Sequence, residues 1–82
     1  MHEYALARDL INRAVLEAAR QGLNQVVRLT IAMGEEGHLD PEVLRFNLEA
    51  AARGTAVAGA EFQLVPGAGR GVILESLELE DK

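Results

Sequence analysis

Gln25-Val26-Val27-Arg28-Leu29-Thr30-Ile31-Ala32-Met33, closed by Gly34, is the stretch on which the fold turns. Val27, Leu29, Ile31 and Met33 share one parity, and Arg28 and Thr30 the other. That is the period of a strand with one buried face.

Helical periodicity lies on both sides of this strand. Upstream, from about Glu3 to Arg20, the residues Tyr4, Ala7, Leu10, Ile11, Ala14, Val15 and Ala18 fall on one stripe, with Leu6 at its edge and Gly22 as the stop. Arg8, Asp9, Asn12, Arg13 and Arg20 fill the polar side, where Leu16 is read as a singly exposed apolar residue. Downstream comes the loop Glu35-Glu36-Gly37-His38-Leu39, in which His38 is read as a solvated side chain. Asp40 before Pro41 then supplies an N-cap acceptor and a first helical residue with no N–H to lose, and Glu42 suits the helix dipole. This second helix runs to about Arg53, with Gly54 in the C′ role. Its inner face is expected to be Val43, Leu44, Phe46, Ala50 and Ala51, with Leu48 at the margin. Asn47 falls within that stripe, so its amide is expected to bond neighbouring backbone.

Beyond a turn-prone span from Gly54 to Gly59, Ala60–Val65 alternates Phe62 and Leu64 with Glu61 and Gln63, a second strand. Pro66-Gly67-Ala68-Gly69-Arg70-Gly71 reads as a turn; it lacks the lysine and the following helix of a phosphate-binding loop. In the last strand, Val72 to Glu80, Val72 and Leu74 lie on one parity and Leu77 and Leu79 on the other, which implies a β-bulge near Glu75-Ser76. The order α-β-α-β-β gives an α+β fold, two helices packed on one face of a three-stranded mixed sheet. The last two strands are expected to form an antiparallel hairpin, and the β-α-β passage a parallel pairing.

Eighty-two residues make one domain. With 49% hydrophobic residues but only one Tyr, two Phe and no Trp, its core is aliphatic and thin, which favours association with a partner or a second copy, a homodimer. The net charge of −5 and the lack of a Lys/Arg cluster argue against nucleic acid and anionic membranes. No stretch is long and apolar enough to span a bilayer, no leader opens the chain, and there is no cysteine for a disulfide or a thiolate metal site. A cytoplasmic protein is expected. An enzyme is not, since the carboxylates are spread over solvated faces and no nucleophile-base arrangement is supported by spacing.

Chemistry concentrates at the start of the chain. The Met1 α-amine, the deprotonated His2 amide and the His2 imidazole supply three nitrogen donors for a square-planar nickel or copper ion, and Glu3 offers a fourth through its amide or carboxylate. Amine and amide close a five-membered chelate ring, amide and Nδ1 a six-membered one. Because the donors must shed protons, binding strengthens with rising pH.

Several motifs in order are similar to a known family. Met1-His2-Glu3-Tyr4 opening a helix, Gly34-Glu35 with Gly37, Leu39-Asp40-Pro41-Glu42, Leu44-Arg45-Phe46 with Glu49, Gly54-Thr55 and Gly59-Ala60-Glu61 resemble the HypA nickel-insertion proteins, accessory factors for NiFe hydrogenase and in some organisms urease. The resemblance implies Ni(II) held at Met1, His2 and Glu3, a HypB-type GTPase and a hydrogenase large subunit as partners, and delivery without catalysis. Arg8, Asp9 and Arg13, exposed near the terminus, are candidates for the partner contact. The family inserts a zinc lobe with paired Cys motifs between its last two strands; here the turn 66–71 stands in that place, and no structural zinc is expected. The alternative is a shortened homologue that has lost nickel delivery and serves as a protein-binding or dimerising module.

Overall fold

The computed structural model describes residues 3–22 and 25–79. Its elements are α1 (Glu3–Arg20), β1 (Val26–Gly34), a single 3-10 turn (Glu35–Gly37), α2 (Pro41–Ala52), β2 (Glu61–Gly67) and β3 (Val72–Leu79). The last strand is thus followed to Leu79, and Glu80 lies outside the described residues. Among the described residues no helix is long and apolar enough to cross a membrane.

The sheet is mixed, as expected, but its order is β2-β1-β3. β1 pairs in parallel with β2 and antiparallel with β3, so the expected β2–β3 hairpin does not form. The reason lies in the edge that β2 would have offered. The Phe62 carbonyl accepts a hydrogen bond from Arg45 and so points away from β1. In a parallel ladder the backbone groups of alternate residues face the same way, which puts Pro66 on that outer edge with no N–H to give a further strand. Pairing on the far side of β1 instead makes β1 the central strand. It also stacks three apolar rows on the helix-covered face: Phe62–Leu29–Leu77, Leu64–Ile31–Leu74 and Pro66–Met33–Val72.

The bulge expected in the last strand is present. Thr30 pairs with Ser76 but Ile31 pairs with Leu74, leaving Glu75 as the extra residue of β3. Both parities of that strand thereby turn inward, and Val72, Leu74, Leu77 and Leu79 all pack against the core. A second irregularity corrects the reading of β1. Val26 pairs with Leu79 and Arg28 with Glu78, so Val27 is the extra residue; Val26 is fully buried and Val27 is 41% exposed.

In α1 the expected stripe is buried at Ala7, Leu10, Ile11, Ala14 and Ala18, while Tyr4 at its start is largely exposed. Leu16 is exposed, as expected. In α2 the buried line is Leu44, Leu48 and Ala52. Leu48 is therefore central rather than marginal, and Val43 and Phe46, expected inside, face out. This helix is apolar on nearly every side, so the contact with α1 selects which stripe is buried. The Asp40 carboxylate accepts from the Glu42 N–H at 2.9 Å, Gly54 takes a positive φ of 75°, and Asn47 Nδ2 donates to the Val43 carbonyl at 2.9 Å, all as the sequence implies.

The connection from β2 to β3 must cross the end of β1. It does so as a four-residue arch, 68–71, fastened by the Gly34 N–H to the Gly71 carbonyl (2.8 Å) and the Glu36 N–H to the Gly69 carbonyl (2.9 Å). The crossing is tight. A Cβ at Gly34 would stand 2.3 Å from the Gly69 oxygen, and one at Gly37 would stand 2.1 Å from the Arg70 oxygen.

Candidate metal centre

α1 is helical from Glu3 and fully buried at Ala7, so the donor-bearing start of the chain is attached to a helix anchored in the core one turn later. Met1 and His2 lie outside the described residues. Glu3 is half-buried in the first turn, where its carboxylate offsets the positive end of the helix dipole.

Topology decides what surrounds this place. The chain reverses between α1 and β1 and again between β1 and α2, so both helices run counter to β1. Their first turns therefore lie toward the end of the sheet marked by Gly34, the 3-10 turn and the arch. The same end holds an open cleft of ≈ 330 Å³ lined chiefly by Met33, Leu39, Leu64 and Pro66, with Glu35 and His38 among its polar residues. Sequence reading gave no hint of this cleft, because it forms where the end of β2 meets the loop before α2, two segments far apart in the chain. His38 is exposed, and its backbone is left-handed at φ 58°. For a residue with a Cβ that conformation costs roughly 1–2 kcal/mol, and it lets the chain leave the 3-10 turn toward Asp40.

Among the described residues no three His, Asp or Glu side chains converge as a metal site. The donors named from the sequence are mostly main-chain and terminal groups, which act by chelation between neighbours in the chain and need no such convergence. On the outer side of α1, Arg8, Asp9 and Arg13 are exposed, and Asp9 and Arg13 form an ion pair at 3.2 Å.

The sequence profile described as "Hydrogenase/urease nickel incorporation, metallochaperone, hypA" matches residues 1–72. The hydrogenase maturation factor HypA of Aeromonas hydrophila is 41% identical over 61 residues, covering 74% of this chain and 54% of that protein. HypA of Methanopyrus kandleri is 38% identical over 64 residues, covering 78% of this chain and 45% of the relative. The chain thus spans about half the length of the curated relatives it matches. The solution structure of the Ni metallochaperone HypA from Helicobacter pylori superposes with a TM-score of 0.84 over 98% of each chain at 17% identity, which shows a shared fold.

Proposed function

Since the chain belongs to the HypA family of nickel-incorporation metallochaperones, we propose that it carries Ni(II) as cargo at Met1, His2 and Glu3 for insertion into a NiFe hydrogenase or urease. What supports the reading is the position of the donors. Glu3 is the first residue of a helix that is packed from Ala7 onward, so the donors are joined to an anchored element. The Met1 amine, the His2 amide and the His2 imidazole each bind as a deprotonated or neutral nitrogen, so release is assisted by any group that returns a proton. Glu3 is the first residue of α1, and loading is expected to loosen the helix at its start. The partners of this role are a HypB-type GTPase and a hydrogenase large subunit in the cytoplasm, with Arg8, Asp9 and Arg13 as the contact.

Residues 1–82 form a single nickel-binding unit in this proposal, the arch closing the sheet where the family carries its zinc lobe, and structural zinc has no part. That closure needs only the missing side chains of Gly34 and Gly37. The turn 66–71, standing where the family inserts its zinc lobe, also favours a second reading, a protein-binding or dimerising module that lacks nickel delivery.

One calorimetric experiment separates the two. Protein with a native, untagged start is titrated with Ni(II), and copper is run beside it because its intrinsic affinity is higher whatever the biology. Under the first reading nickel binds, and His2→Ala or a residue fused ahead of Met1 abolishes binding. A chain that fails to retain nickel with its terminus free is left with the second reading.

A further inference from the structure

The outer face of α2 carries an order that neither the core nor the nickel terminus uses. Phe46 stands at its centre and is 69% exposed, with Ala50 one turn on. Along one border run Glu42, Arg45, Glu49 and Arg53, alternating in sign at helical spacing. Such spacing suits ion pairs within one helix, yet the ion pairs formed among the described residues are Asp9–Arg13, Glu17–Arg20 and Arg28 with Glu61 and Glu78; none joins two of these four. Arg45 instead reaches across to the Phe62 carbonyl.

We propose that this face is a homodimer interface in which α2 packs antiparallel against α2 of a second copy. A two-fold axis at position 47 sets Arg45 opposite the partner's Glu49 and Glu42 within one residue of the level of the partner's Arg53, each pair occurring twice. The border of charges is complementary to its own reversed image, which a parallel pairing would not satisfy. The same axis places Phe46 between the levels of the partner's Phe46 and Ala50. One guanidinium nitrogen of Arg45 is committed to Phe62, and the other donors remain for a carboxylate. Antiparallel alignment also sets each helix start beside the other's end, a favourable arrangement of dipoles. The occupant is a second copy because the charge order repeats under a two-fold, the property of an isologous contact. Nickel binding plays no part in it.

A helix of twelve residues is about 18 Å long. The pair therefore buries less than the roughly 800 Å² per partner of a standard interface, and a weak dimer is expected, with a dissociation constant on the order of 100 μM. Sedimentation equilibrium of the whole chain, from about 10 μM to about 1 mM, reads it directly. A reversible monomer–dimer equilibrium is expected, weakened at least about tenfold by Phe46→Glu. Glu42→Arg and Arg53→Glu should each weaken it about two- to fivefold, and the double variant should restore it. Both reversals also disturb the helix dipole. That effect accumulates in the double variant and appears in its thermal unfolding, whereas recovery of the dimer requires pairing between copies. Should Phe46→Glu lower helicity, Phe46→Ala replaces it. A monomer at every concentration, a dimer indifferent to Phe46, or a double variant no better than the worse single one overturns the proposal.

Discussion

At the Gly34 end of the sheet the contacts that close the fold are backbone against backbone, the arch 68–71 resting on residues 34–37 with no side chain between them. At the Val26 end the work on the open face falls to side chains, Arg28 bridging Glu61 at 3.3 Å and Glu78 at 3.0 Å across all three strands. The open face grades between the two, from that charged row through Gln63–Thr30–Ser76 to the apolar row Val65–Ala32–Ile73 beside the arch. A side-chain bridge in solvent can re-form around a substitution. Two peptide groups in van der Waals contact cannot, so the arch end is where this molecule is least tolerant, and it is also where the helix starts gather.

The sharpest way to break that contrast is at the glycines. Gly34→Ala must lift the arch off the end of β1, with an expected loss of about 3 kcal/mol in urea unfolding. Gly54→Ala, at a positive φ with nothing within 4 Å, should cost only about 1 kcal/mol. Equal losses at the two positions would deny the arch its special standing.

Deletion of Glu75 tests the middle of the sheet. It removes the extra residue and leaves Val72, Leu74, Leu77 and Leu79 on a single parity, all toward the helices, with Thr30 still opposite Ser76 and Ile31 opposite Leu74. Stability should change by at most about 1 kcal/mol and the Thr30–Ser76 cross-strand nuclear Overhauser contact should persist; a loss as large as that at Gly34 would deny that Glu75 is the extra residue.

At the opposite end, Arg28→Ala is expected to change stability by at most about 1 kcal/mol, and less at high salt, because both ion pairs are exposed. A loss as large as that at Gly34 would erase the distinction between the ends.

The smallest effect is electrostatic and lies on α1. Hydrogen bonding from Gln21, followed by the charge of Arg20, holds the Glu17 carboxyl below its ordinary range. A depressed folded-state value stabilises the folded chain above the ordinary carboxylate range, and that contribution is lost as pH falls through the folded value. Carbon-detected titration should find Glu17 protonating at lower pH in the wild type than in Gln21→Ala. Coincident curves would remove the hydrogen bond from the account.

Much of this was legible in the residues because the relevant physics is local. Helical and strand periods, the Asp40 cap before Pro41, the Asn47 side chain turned to its own backbone and the Glu75 bulge all follow from relations a few residues long. The proposed nickel donors Met1, His2 and Glu3 rest on adjacency alone, and Met1 and His2 lie outside the described residues. The cleft beside His38 was not legible, since its walls come from β2 and the loop before α2.

The sequence by itself determined which segments are helix and strand, and that one side of the sheet is aliphatic, because alternation fixes a face relative to the chain. It could not determine which neighbour each face meets. The tertiary structure alone decided that β3 lies beside β1, that Leu48 rather than Phe46 is buried, and that Val26 rather than Val27 turns inward. Each of these is a choice between locally equivalent arrangements. Contacts distant in sequence settled them: Arg45 and Pro66 at the outer edge of β2, α1 lying against α2, and room for the arch over Gly34.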